Sequence, residues 1–143
     1  MEQDFLQKYR NAQKHYLETA KKELRNGDKC SHWIWFIFPQ LYGLGSSYPC
    51  ELYGIRGLGE AKAYIHHPIL KERLLEITQA LLEVEKNHIL DIVDRPDDLK
   101  IRSCMTLFLE ADPSCELFQK VLDKYYHGKK DGRTLSMLSR EKV

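Results

Sequence analysis

Three prolines in this chain stand at or just behind residues able to cap a helix, in His67-Pro68, Asp94-Arg95-Pro96 and Asp112-Pro113. Proline lacks an N–H and holds φ near the helical value, so it suits a first helical turn, where a preceding polar side chain can accept the free amides. After each proline the apolar residues recur every three or four positions. The run ILKERLLEITQALLEVEK predicts a helix over 68–86. Leu99, Ile101, Met105, Leu107 and Leu109 predict a second helix, and Leu117, Val121 and Tyr125 a third that Gly128 ends. Upstream, Phe5, Tyr9, Ala12, Tyr16, Ala20 and Leu24 mark one face of a first helix closed by Gly27. Its charges, Lys8, Lys14, Glu18, Lys21, Lys22 and Glu23, read as a solvated face.

Strands have little to work with. The one segment with strand character, WIWFIF, has no partner to satisfy its backbone groups, and the following LYGLGSSYPCELYGIRGLG carries turn residues too closely spaced for a long element. With a short helix near 60–65 and a last turn near 134–138, the expectation is all-α: a compact single-domain helical bundle over 1–143 with a long ordered glycine-bearing loop. A chain of 143 residues can bury about two thirds of its unfolded surface without staples.

Charge and composition narrow the function. A net charge of +1 with 30% charged residues is too balanced to point to nucleic acid, and 43% hydrophobic residues argue against disorder. No apolar run approaches the roughly 20 residues that span a bilayer, so no membrane partner is expected. Cys30, Cys50, Cys104 and Cys115 form no C-x-x-C pair and no secretory leader precedes them, which fits reduced thiols and a cytoplasmic location. His66-His67 and Cys30-x-His32 lack the recurrent spacings of a zinc site, so no metal is expected. The glycines of GIRGLGEA are in the wrong order for a dinucleotide fingerprint and no phosphate-loop string is present; no cofactor is expected.

Three segments carry candidate chemistry. In SHWIWFIFPQ, Ser31 can cap a short buried helix whose aromatics fill the core, but His32, Gln40 and the indole N–H groups of Trp33 and Trp35 need partners if buried. Ligand pockets combine apolar walls with sparse polar groups of this kind. Ile34, Phe36 and Ile37 are expected in the core, and His32, Trp33, Trp35 and Gln40 on a pocket wall. Gly43-Leu44-Gly45-Ser46-Ser47 can present successive amides and two hydroxyls to an anion, although plain turn chemistry is the commoner reason for glycines in such a loop. On the helix after Pro96, Asp97, Lys100 and Ser103 or Cys104 share a side. Salt bridging accounts for Asp97 and Lys100 more readily than for Ser103 and Thr106.

SHWIWFIFPQLYGLG, then HPIL, DDLKIRSCMTLF and YYHGKKDGRTLSML together resemble the domain-of-unknown-function family eighteen-ten over nearly the whole chain. The resemblance implies a compact all-helical domain and no established activity. Members are often labelled calpastatin, a label set aside here because such inhibitors work through extended, disordered repeats, whereas this chain is patterned for a globular core. The order of an aromatic-proline block, a helix ending near a proline, a helix carrying Lys and Met, and a final Phe-x-x-x-Leu segment before a glycine is also similar to a small helical family proposed to act on ADP-ribose derivatives.

The leading expectation is therefore a small-ligand pocket, for a nucleotide or ADP-ribose-like molecule. In it Trp33 or Trp35 stacks a base, the glycine loop with Gly43, Gly45 and Ser46 meets a pyrophosphate together with Lys100, and Ser103 completes the pocket from the same helix as Lys100. Gln40 meets ribose hydroxyls, and His32 or Asp131 serves as acid or base if the ligand is hydrolysed. The competing expectation is a protein-interaction module without catalytic activity, its protein partner unknown, in which the same aromatics are core and an exposed apolar patch docks that partner.

Overall fold

The computed structural model describes residues 4–141, and among these every regular element is helical: α1 (Asp4–Arg25), α2 (Ile34–Ile37), α3 (Tyr48–Tyr53), α4 (Leu58–His66), α5 (Pro68–Leu82), a 3₁₀ turn (Ile89–Asp91), α6 (Asp97–Ala111), α7 (Glu116–Tyr125) and α8 (Gly132–Glu141). The all-α expectation holds. None of these helices is long and apolar enough to cross a membrane.

α6 is the axle. Residues 103–109 are buried without interruption, so this helix has no solvent stripe along that stretch and is wrapped by α4, α7, α8 and α2. α1 packs along α5 on the other side of the bundle. Aromatic rings link the layers: Tyr9 of α1 meets Tyr64 of α4 edge-on at 5.2 Å, Tyr64 meets Phe108 of α6 at 5.0 Å, and Phe108 meets Phe118 of α7 at 6.2 Å. One polar side chain sits among them with its donors used: Gln13 Nε2 donates to Phe36 O and to Tyr64 Oη. Gln13 takes the core position that periodicity assigned to Ala12, and Tyr16 is left 43% exposed.

The expected closures hold at His67 and Gly27 but not at the other two proline starts, since α6 begins after Pro96 and α7 after Cys115 with no side-chain cap bond. His67 Nδ1 accepts from the amides of Ile69 and Leu70 at the start of α5. Gly27, at φ 72°, ends α1 in a paired closure, with Gly27 N donating to Leu24 O and Asp28 N to Glu23 O. Three boundaries move. α5 stops at Leu82, four residues short of the expected end. Asp112-Pro113 forms a side-chain-bonded turn, Asp112 Oδ1 accepting from Ser114 N and Oγ, so α7 begins only at Glu116. The expected last turn is a ten-residue helix, α8.

The early end of α5 has an identifiable anchor. Lys124 Nζ donates to Leu82 O at 2.7 Å and to Val84 O at 2.5 Å, and Tyr125 Oη donates to Leu81 O at 2.8 Å. A cation on the last carbonyls of a helix satisfies orphan acceptors and opposes the helix dipole. Lys124→Met keeps the apolar stem but removes both bonds, so a loss of about 1–2 kcal/mol is expected in urea denaturation. An unchanged midpoint would show these carbonyls to be satisfied by other means.

Candidate functional site

The glycine loop is folded by a pair of hydrogen bonds between its ends. Ile55 N donates to Gln40 O at 2.9 Å and Tyr42 N to Ile55 O at 2.8 Å, making a single parallel bridge between Leu41 and Ile55. The closed loop contains α3, a six-residue helix absent from the sequence expectation; Ser47 caps it, accepting from Cys50 N at 3.4 Å. Gly45 packs so tightly here that a Cβ on it would lie 2.5 Å from Cys50 Sγ. The amides of Gly45, Ser46 and Ser47 meet no acceptor among the described residues.

Opposite the loop stands the first half of α6. Ser103 Oγ donates to Leu99 O at 3.0 Å, which leaves its oxygen able to accept. Lys100 Nζ lies 3.8 Å from Asp97 Oδ1 and 5.3 Å over the Trp35 ring. Asp97 is held more closely by Lys29 Nζ, at 2.8 Å, so two cations divide one carboxylate and Lys100 is only partly neutralised.

The third wall is the entry into α8, and α6 fixes it. Arg102 donates from Nε to Lys129 O and from a terminal nitrogen to Lys130 O, both at 3.0 Å. Thr106 Oγ1 donates to Arg102 O and accepts from Asp131 N, each at 2.8 Å. Asp131 then begins α8 with its own carboxylate: Oδ2 accepts from Thr134 N at 2.9 Å and from Thr134 Oγ1 at 2.6 Å. Thr106 and Arg102 are thus position-setting groups that carry Asp131 and Arg133 to the cleft.

The three walls enclose about 520 Å³, bordered by Gln40, Leu44, Gly45, Ser46, Ser47 and Cys50 from the loop, Pro96, Leu99, Lys100 and Ser103 from the α6 side, and Asp131 and Arg133. A second, narrow slot shares Gln40, Cys50 and Lys100 and adds Trp35, Phe38, Pro49, Tyr53 and Gly54, with room of about 10 Å³. Trp35 Nε1 is buried and meets no acceptor among the described residues. A donor in that state costs about 1–3 kcal/mol relative to a bonded one.

The sequence candidates divide accordingly. Gln40, Gly45, Ser46, Lys100, Ser103 and Asp131 converge on the larger cleft. Trp35 stands beside it across the shared slot. Gly43 borders a neighbouring groove with Arg133. Two candidates are elsewhere. Trp33 is fully enclosed at 0% exposure and its indole donates to Glu23 Oε1 at 2.9 Å, so it belongs to the core and not to a pocket wall. His32 is exposed and is not on the cleft, because the turn that buries Trp33 points its neighbour outward. Ser31 likewise serves Glu23 instead of capping α2, whose N-cap position is Trp33. Arg133 was missed. Its sequence signal is the D-x-x-T cap that places it in the first turn of α8, and only the long-range Thr106–Asp131 bond brings that turn to the loop.

Residues 3–138 match the family model described as protein of unknown function (DUF1810). No curated protein matches the chain. A solved structure, of the conserved hypothetical protein Rv1873 from Mycobacterium tuberculosis, is 44% identical, with 94% of this chain and 96% of that chain covered and a TM-score of 0.91.

Proposed function

We propose that this chain, which belongs to the DUF1810 family, binds a small anionic ligand of nucleotide or ADP-ribose type in the cleft between the glycine loop, α6 and the start of α8. The observation that carries the reading is convergence. Residues from three distant stretches, Gln40 to Ser47, Lys100 to Ser103 and Asp131 to Arg133, border one cleft of about 520 Å³, within the usual range of roughly 300–1,000 Å³ for small-ligand sites. Lys100 and Arg133 face a phosphate, the free amides and hydroxyls of Ser46 and Ser47 supply donors, and the Oδ1 atom of Asp131 receives a sugar hydroxyl. Leu99 and Leu44 give the ligand an apolar rest. His32 has no part in this arrangement.

Thermal unfolding in the presence of AMP, ADP, NAD and ADP-ribose tests it. At a ligand concentration of about 100 Kd the fold gains about 2.7 kcal/mol. Arg133 is exposed and bonded to no carboxylate among the described residues, so Arg133→Gln leaves the fold intact and weakens binding about tenfold. The absence of any stabilisation, or equal stabilisation of the Arg133→Gln protein, rejects the proposal.

One observation favours an interaction module instead. Tyr48 is 74% exposed, with Leu99 at 48% and Leu52 at 37%, on elements that border the cleft. Under that reading no nucleotide raises the unfolding temperature, and Tyr48→Ser abolishes self-association or capture of a partner.

A further inference from the structure

Arg133 borders a second depression, and this one no sequence motif announced. A groove of about 440 Å³ runs along the outer side of α8 between Gly43, Arg133, Ser136, Met137 and Arg140. The spacing of those α8 residues, i, i+3, i+4 and i+7, puts them on one face, with Arg133 and Arg140 two turns and about 10 Å apart along the axis. Gly43 makes the opposite wall: it sits at φ 100°, a left-handed conformation that favours glycine, and a Cβ there would lie 3.2 Å from Met137 Cε, so the loop and α8 are in close contact at this point. Neither arginine is paired with a carboxylate among the described residues. Glu141, the nearest acid in sequence to Arg140, accepts from Leu58 N at 3.2 Å instead. Among the described residues Arg140 makes one hydrogen bond, from Nε to Ser136 O at 3.5 Å.

We propose that the ligand carries two phosphate groups held apart by a spacer, one in the Lys100 cleft and one in the Arg140 groove, with Arg133 shared between them. This rests on the first cleft being an anion site, and it adds the chemical class: a spaced bisphosphate, distinct from a monophosphate or a contiguous diphosphate. The order Lys100, Arg133, Arg140 explains the preference, since the outer two cations belong to different depressions that meet only at Arg133. A ligand engaging both makes the second contact intramolecularly, and the gain in affinity comes from that effective concentration.

Calorimetric titration at fixed ionic strength with AMP, ADP and adenosine 3′,5′-bisphosphate tests the proposal. The bisphosphate is expected to bind at least tenfold more tightly than AMP and clearly more tightly than ADP. Arg140→Gln, on an exposed helical face, should erase that advantage while AMP binding stays unchanged. Affinities for AMP and the bisphosphate within twofold of each other overturn the proposal, as does an advantage that survives Arg140→Gln or is equalled by ADP; in these cases the first cleft stands if AMP binding still depends on Arg133. No binding by any of the three overturns both.

Discussion

Replacing Glu23 with Ala should cost the fold about 3 kcal/mol, because one carboxylate organises the whole approach to the tryptophan segment. Its Oε1 accepts from Cys30 N, Ser31 N and Trp33 Nε1, each at 2.9 Å, and its Oε2 accepts from Ser31 Oγ at 2.5 Å. Removing it strands the indole N–H of a fully enclosed tryptophan and releases the turn between α1 and α2. Burial by itself would raise the carboxyl, but the hydrogen bonds from Ser31, Cys30 and Trp33 outweigh it and hold the group at about 2, against an ordinary value of 4.5. A depressed acid contributes stability that is complete above its unfolded value and is lost as pH falls through the folded one. The window is therefore about pH 4.5 down to about 2. With allowance for partial solvent screening, this acid-labile share is about 2 kcal/mol. Glu23→Gln can keep acceptors in place but has no charge to lose, so its deficit relative to the natural protein should shrink across that window. A deficit independent of pH between 5 and 2 would mean that the carboxylate's charge contributes nothing.

Glu23 also shows where reading the sequence fails. On α1 it stands next to Lys21 and Lys22, and the helical pattern assigns it with them to a solvated face. What recruits it is the turn after Gly27, which folds the chain back so that amides seven and eight residues later reach its side chain. That return is a tertiary event with no local period. The long helices were legible because their stabilisation lies along one face, as in α5, or is announced by caps, as at His67 and Gly27. α3 was not: six residues give no measurable period, and the helix depends on the Ser47 cap and on burial of Cys50 against Gly45. The cleft was half legible. Lys100 and Ser103 share a helical face and could be paired from spacing alone, and the glycine loop declared its amides. That these two face each other, and that Arg133 joins them while Trp33 does not, follows from the Leu41–Ile55 bridge, the Thr106–Asp131 bond and Glu23, three contacts between residues distant in the chain or across a turn.

The first of those contacts is open to a direct test, because one glycine makes it possible. Gly54 has extended backbone angles that any residue adopts, φ −63° and ψ 133°, so conformation is not what requires a glycine there. Space is. A Cβ would sit 2.7 Å from Cys50 O, 2.7 Å from Tyr42 Cα and 2.9 Å from Tyr42 Cβ. Two of those neighbours are main chain and cannot rotate aside, so in Gly54→Ala either α3 or the segment around Tyr42 must move. Moving Tyr42 breaks the two hydrogen bonds with Ile55 that close the loop; moving Cys50 shifts the wall shared by the cleft and the slot below Trp35. The expected cost is about 2–4 kcal/mol in urea denaturation. Nucleotide affinity should fall further than stability alone would require, since Gln40, Gly45 and Cys50 all lose their mutual positions. Gly59→Ala is the matched control: a Cβ there meets nothing within 4 Å, so stability should be unchanged or slightly higher and binding untouched. Should Gly54→Ala stay within about 0.5 kcal/mol of the natural protein, the loop has room that the bridge geometry denies, and the cleft would not depend on the Leu41–Ile55 closure for its shape.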